Sequence, residues 1–260
     1  MADDPLLEHA RRLWVALAGV PITFTPTIRV AVAPRSLLCP PGWVGIVVLR
    51  GTVIATAPDD GTAEVVQLAL DGVPAAALTD AAVVRGRLPV DQVRGPASLA
   101  YCGQDGFHPA GSGAVVRRVP ADHPCVQDLL TRVPVEDVDE SGLADITSPA
   151  FVVRTGSATL AAAGYRTWPA GTAHLSVLTA AAERGHGHAR VVATAAVAHS
   201  LDVGLLPQWR ARPEASRRVA RALGFLELGS QLSLRLVTRS RPGGSGPGRC
   251  APGRRAPRGW

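Results

Sequence analysis

The sequence contains no lysine; all 27 basic residues are arginine. We read this as a coding bias of GC-rich DNA rather than as a functional mark. Cysteine is sparse. The four copies stand far apart, at 39, 102, 125 and 250, with no Cys-x-x-Cys pair. That spacing excludes a zinc framework and a disulfide scaffold, and it fits a reducing, cytoplasmic setting. No run of about 18 apolar residues occurs, so no segment reads as a membrane span. The first residues carry Asp3 and Asp4 instead of a basic cluster. Arg11 and Arg12 do precede an apolar segment at 13–20, but Gly19-Val20-Pro21 interrupts it and it lacks a small-residue cleavage site. An amphipathic helix over 3–18 fits better, with Leu6, Leu7, Ala10, Leu13, Trp14 and Leu17 on one face.

A true excess of positive charge is also missing. The net charge of +6 comes from the end of the chain. Residues 239–260 carry six arginines (239, 241, 249, 254, 255, 258) and no acid. Without them the chain has 21 arginines against 21 acids. The tail is rich in Gly, Pro and Ser, and it buries too little to order itself. This argues against a specific nucleic-acid partner. What is present is ordinary globular material: 47% hydrophobic residues, rich in Ala and Val, in a chain long enough for one large domain or two small ones.

In chain order, residues 27–33 alternate like a strand. Residues 43–50 and 52–57 form a hairpin around Gly51, and 60–70 a helix behind an acidic cap. Residues 75–85 read equally as helix or strand, and 99–102 as a short strand. His9, Asp59, Asp60 and His108 are scattered, with surface or capping roles. Residues 103–113 lose all periodicity and read as a linker. A strand at 114–119 follows. Asp122-His123-Pro124 then opens a helix that Pro134 breaks, before an acidic stretch at 136–140. Strands at 151–154 and 158–168 flank a turn at 155–157. The next strand, 173–179, leads to a turn and a long Ala/Val helix. A strand at 206–211, a helix at 212–223 and a strand at 228–237 complete the order.

The most informative stretch is 173–225. Its β-branched run stops at Thr179, and Arg184, Gly185, His186, Gly187, His188 and Ala189 form the turn that opens the helix. The free N–H groups of a first helical turn, together with the helix dipole, favour an anion such as phosphate. Gly185 and Gly187 let backbone approach a ligand where a Cβ would intrude.

These residues resemble the GNAT N-acetyltransferase superfamily. Its acetyl-CoA signature is Arg or Gln, two residues, Gly, one residue, then Gly or Ala; here it is Arg184, Gly187 and Ala189. The stretch ASRRVARALGF at 215–225 is similar to the family's closing helix and Leu-Gly-Phe corner. The resemblance covers about 112–238 and implies an α/β (α+β) GNAT fold, a mixed, mostly antiparallel sheet flanked by helices. The matching division is an N-terminal α/β unit at 1–110, read as a degenerate GNAT-like half, a GNAT domain at 111–238 and the tail at 239–260. It also implies acetyl-CoA as co-substrate and no metal. The pyrophosphate is then held by the N–H groups of 185–189 beside Arg184. Pantetheine lies along Val177, Leu178 and Thr179 where two strands splay apart, and Arg212 and Ser216 approach from the other side.

The chain departs from the family pattern at its chemistry. Pro213 stands where many members have Asn, a residue near Ala220 replaces the usual Tyr, and Gly171, Thr172 and Ala173 replace a common glutamate. His174 is the best candidate base, although strand alternation turns it away from Val177 and Thr179. Glu140, with Asp139, is a candidate relay or amine-recognising group, and Tyr165 a candidate proton donor. His186 and His188 lack the acidic or thiol partners of a metal site. The expected reaction is acetyl transfer from acetyl-CoA to a primary amine, on a small molecule or peptide, in a monomer or homodimer off the membrane. The alternative is a catalytically degenerate acyl-CoA sensor or scaffold.

Overall fold

The computed structural model describes residues 4–111 and 114–237. The expected tail at 239–260 and part of the linker lie outside them. Asp4 caps the first helix, α1 (Pro5–Ala18), by accepting from the N–H groups of Leu6 and Leu7, and Gly19 ends it at φ 70°. Then follow β1 (Val30–Val32), the hairpin β2 (Val44–Leu49) and β3 (Thr52–Ala57), and α2 (Asp60–Leu70), capped by Asp59. The ambiguous segment at 75–85 holds a 3-10 turn and the short helix α3 (Ala81–Arg85).

β4 (Val90–Tyr101) runs for 12 residues, much longer than the strand expected at 99–102. Gly95 and Pro96 hide its first part, since both demote a strand in sequence. The facing strand absorbs them with a register shift between Gln231 and Ser233. The chain continues as β5 (Arg117–Val119), α4 (Pro124–Arg132) and α5 (Val135–Ser141), so the acidic stretch is a helix. Next come β6 (Ala150–Thr155), β7 (Ala158–Trp168), β8 (Thr172–Thr179), α6 (His188–Asp202), β9 (Leu206–Ala211), α7 (Glu214–Ala222) and β10 (Leu226–Leu236).

All ten strands form one sheet in the order β1-β3-β2-β10-β4-β9-β8-β7-β6-β5. β1 with β3 and β8 with β9 are parallel; the other pairs are antiparallel. The two halves read from sequence share this sheet. β10 enters between β2 and β4, and β4 lies between β10 and β9.

Strand alternation sorts the core. Odd residues of β7 (Ala161, Ala163, Tyr165) pack with α6, and Trp209 of β9 joins them. Even residues face the other way, with Ala162 against α4 and Trp168 against α1. Trp14 of α1 is fully buried and donates its indole N–H to the Tyr101 hydroxyl at 2.6 Å, so the burial of two large rings leaves that polar pair satisfied.

Candidate active site

β8 pairs with β7 along its whole length, from Thr172 opposite Trp168 to Thr179 opposite Ala161. With β9 it pairs only from Thr172 opposite Leu206 to His174 opposite Gln208. β9 then follows β4 instead, with Ala211 opposite Ser98. The parallel pair therefore opens into a wedge after His174. Ala180 donates its N–H to the Leu160 carbonyl, which places the even residues of β8 in bonding register with β7. Antiparallel alternation then turns the N–H and C=O groups of Leu175, Val177 and Thr179 toward the gap. The Thr179 hydroxyl is buried and, among the described residues, has no hydrogen-bond partner.

A cleft of about 1010 Å³, counting the part open to solvent, fills the wedge. Leu175, Ser176 and Val177 line one side and Trp209 and Arg210 the other, with Arg212 and Ser216 also in the wall. The Trp209 indole N–H donates to the Ser216 hydroxyl at 3.0 Å, which fixes the ring beside the gap. The segment from Asp139 to Gly142 covers the cleft. Gly142 ends α5 at φ 63°, and a Cβ there would lie 3.2 Å from the Ser176 hydroxyl. Glycine thus lets the end of α5 close down on β8.

From Thr179 the chain passes through a 3-10 turn into the glycine turn. Gly185 and Gly187 adopt φ of 85° and 83°, values that cost other L-residues about 1 kcal/mol or more. Gly187 caps α6. Among the described residues, the N–H groups of Gly185, His186, Gly187, His188 and Ala189 donate to no protein acceptor. Five donors at the positive end of a 15-residue helix make an anion cradle. Arg184 beside it is held at 2.7 Å by Asp137 of α5. Glu140, one turn further along α5, pairs with Arg212. The acidic helix therefore spans the mouth of the wedge and holds both arginines expected near the donor.

His174 lies on the cleft side of the sheet. Its Nδ1 is 2.5 Å from Gln208 Oε1, and its ring stacks on Trp168 at 3.9 Å. With Oε1 as acceptor, Nδ1 carries the proton and Nε2 keeps its lone pair. Burial, and then the Arg210 charge, pull its pKa down to about 3. The ring is neutral throughout the physiological range. Burial also lowers Arg210 to about 10, which leaves it a cation.

Two expectations are corrected. Tyr165 points to the opposite face, into the core under α6, where its hydroxyl meets His199 Nδ1 at 2.9 Å; it does not line the cleft. Leu178 packs its side chain toward α4, and as an even residue its backbone serves β7, so it offers the gap nothing. His186 and His188 have ring centroids 6.2 Å apart, and among the described residues no three His, Cys, Asp or Glu side chains gather. Cys39 and Cys102 are buried thiols whose pKa values burial raises to about 12 and 11. Ser176, Trp168, Gln208 and Arg210 escaped the sequence reading. Their signal was faint: polar residues alternating with apolar ones, as in the strand LPQWRA.

Residues 142–230 match the family model described as GNAT acetyltransferase. The C-terminal half of this chain is similar to a GNAT module over those residues. Solved structures similar to it include a GNAT-family acetyltransferase from Novosphingobium aromaticivorans. That protein is 20% identical, with 56% of this chain and 65% of that one covered and a TM-score of 0.45. A GCN5-related N-acetyltransferase-like protein from Streptococcus suis is 20% identical over 55% and 63%, with a TM-score of 0.39. A GNAT-family acetyltransferase from Colwellia psychrerythraea is 15% identical over 60% and 61%, with a TM-score of 0.42. The match spans slightly less than two thirds of each of these proteins. No curated protein matches the chain. Among the described residues, no helix is long and apolar enough to cross a membrane.

Proposed function

We propose that this chain transfers an acyl group, acetyl in the first instance, from acyl-CoA to a primary amine in the wedge between β8 and β9. The observation that carries the reading is the parting of the two strands after His174 and Gln208, in line with the free N–H groups of the glycine turn. A ligand that is a pyrophosphate at one end and an amide-bearing arm along its length fits both parts. The turn takes the anion, and the open strand edge takes the amides as an added strand would. The lone Thr179 hydroxyl lies between them.

Acetyl-CoA, when bound, supplies an acyl thioester open to attack by a neutral amine. The chain holds and aligns the reactants. Gly185 to Ala189 bind phosphate; Leu175, Val177 and Thr179 bind the arm. Arg184 and Arg212 add charge once they leave Asp137 and Glu140. The amine approaches under α5, where Asp139, Glu140 and Asp145 line the cleft and favour a cation. His174 is too weak a base to store a proton at neutral pH. Its role is to accept a hydrogen bond from the amine at Nε2 and orient the lone pair, while the proton leaves through water and carboxylate. A thiolate is a fair leaving group, which suits a cleft with no tyrosine in its wall.

Two assays test the reading. Calorimetry measures CoA binding, and thiol release is followed with acetyl-CoA and a panel of amines. The reading expects micromolar binding and amine-dependent release. Binding without release by any amine favours a sensor or scaffold, and no binding overturns the assignment of the wedge.

A further inference from the structure

Four side chains form a row across the floor of the cleft. Arg166 of β7 stands opposite His174 of β8, His174 beside Gln208 of β9, and Gln208 opposite Tyr101 of β4. Residues in register across a sheet project from one face, close enough to touch. Gln208 is fully buried, and its Oε1 lies 2.5 Å from His174 Nδ1. The other end of the same amide is unused. Its Nε2 is buried and, among the described residues, has no partner in hydrogen-bonding geometry. A buried donor without an acceptor is destabilising, and an apolar residue of similar size would avoid it. Stability alone therefore does not account for a glutamine at 208.

The His174 ring is held from two directions. Gln208 takes Nδ1, and Trp168 stacks on the ring with centroids 3.9 Å apart and planes 11° from parallel. Both supports rest on the first half of the chain. Trp14 of α1 meets Trp168 edge-on at 6.3 Å, and it donates its indole N–H to Tyr101, the neighbour of Gln208 in the row. The held ring lies at the closed end of the wedge, where β8 and β9 part. An arm that starts at the glycine turn and runs back along Thr179, Val177 and Leu175 brings its acyl end there. We infer that Gln208 is a positioning residue for the transfer: it keeps the His174 proton on Nδ1, so that Nε2 meets the incoming amine with a lone pair. This rests on the proposed acyl transfer and adds the residue that sets the ring's tautomer. Without that acceptor a proton on Nδ1 is buried and unpaired, whereas one on Nε2 reaches the cleft that His174 lines. The ring then shifts its proton to Nε2 and offers the amine an N–H in place of a lone pair.

The test uses Gln208→Leu and Gln208→Glu in the full chain. Nitrogen-15 spectra of labelled histidine report the tautomer, the His174 signals being those lost in His174→Gln. The parent is expected to carry its proton on Nδ1 and Gln208→Leu on Nε2. In Gln208→Leu kcat falls about tenfold, the worth of one hydrogen bond, while KM for the amine and CoA affinity stay within twofold and the melting temperature within about 2 °C. Gln208→Glu restores an acceptor for Nδ1 and so recovers kcat to within about threefold at pH 8. Its carboxylate also favours the protonated ring, so kcat acquires a loss below about pH 6.5 that the parent lacks. A parent ring already protonated on Nε2, an unchanged kcat in Gln208→Leu, or a Gln208→Glu that fails equally at every pH overturns the inference. If CoA binds but no amine turns over, acyl transfer fails and the tautomer alone decides. A shift to Nε2 in Gln208→Leu then upholds the hold on the ring, and the same tautomer in both proteins overturns it.

Discussion

The glycine turn and the cleft floor lie toward opposite ends of β8, and they are built in different ways. The turn is local: five consecutive residues, 185–189, present backbone N–H groups whose direction is set by two glycines at positive φ. Side-chain identity matters little there. The floor is assembled from three strands, with Arg166, His174 and Arg210 brought together by sheet register. Its chemistry resides in side chains. A donor common to many enzymes can be met by backbone alone, whereas discrimination among acceptors requires particular side chains. That contrast predicts which changes abolish function and which only redirect it.

The sharpest break comes at the turn. Gly187→Val forces a β-branched residue into φ near 83° and re-aims several N–H groups. CoA affinity falls about 100-fold, the worth of one or two charge-assisted bonds, as calorimetry should show, and turnover drops for every acceptor alike. Arg166→Gln, in the cleft wall, leaves CoA binding within twofold and alters which acceptors turn over. A turn mutant that changes acceptor choice, or a floor mutant that loses CoA, erases the distinction.

His174 sharpens the contrast through pH. An unfolded histidine takes up its proton near 6.5, but folded His174 does so only at about pH 3. Between those values the unfolded chain binds the extra proton. Stability therefore falls as pH drops from 6.5 toward 3, by at most about 1.4 kcal/mol per pH unit from this group. Thermal melts of His174→Gln should show a shallower loss across that window than the parent chain. Parallel slopes would mean that the ring is not held neutral. The smallest effect belongs to α5. Its pairs with Arg184 and Arg212 are partly exposed, and such pairs are worth well under 1 kcal/mol each. Asp137→Asn with Glu140→Gln should tighten CoA two- to fivefold at low salt and do nothing at high salt, as titrations at two ionic strengths would show.

How much of this was legible in sequence follows from the same contrast. The turn could be read because strand, glycines and helix are contiguous. The strand at 206–211 and the hairpin around Gly51 were legible for the same reason. The floor could not be read. Arg166 and Arg210 are 44 positions apart, and nothing local shows that β7, β8 and β9 are neighbours. The placement of β10 was equally hidden, since its pairing with β2 and β4 spans most of the chain. Tyr165 misled because a tyrosine in a strand offers no sign of which face it takes; here the α6 core claims it.

The central claim is that acyl-CoA lies along the open edge of β8 and ends on the glycine turn. Hydrogen exchange with and without CoA tests it most directly. The account predicts that CoA slows exchange in peptides covering 175–191, with the strongest protection at Val177, Thr179 and Gly185 to Ala189. CoA binding that leaves those amides unchanged, or that protects another edge of the sheet, would contradict it.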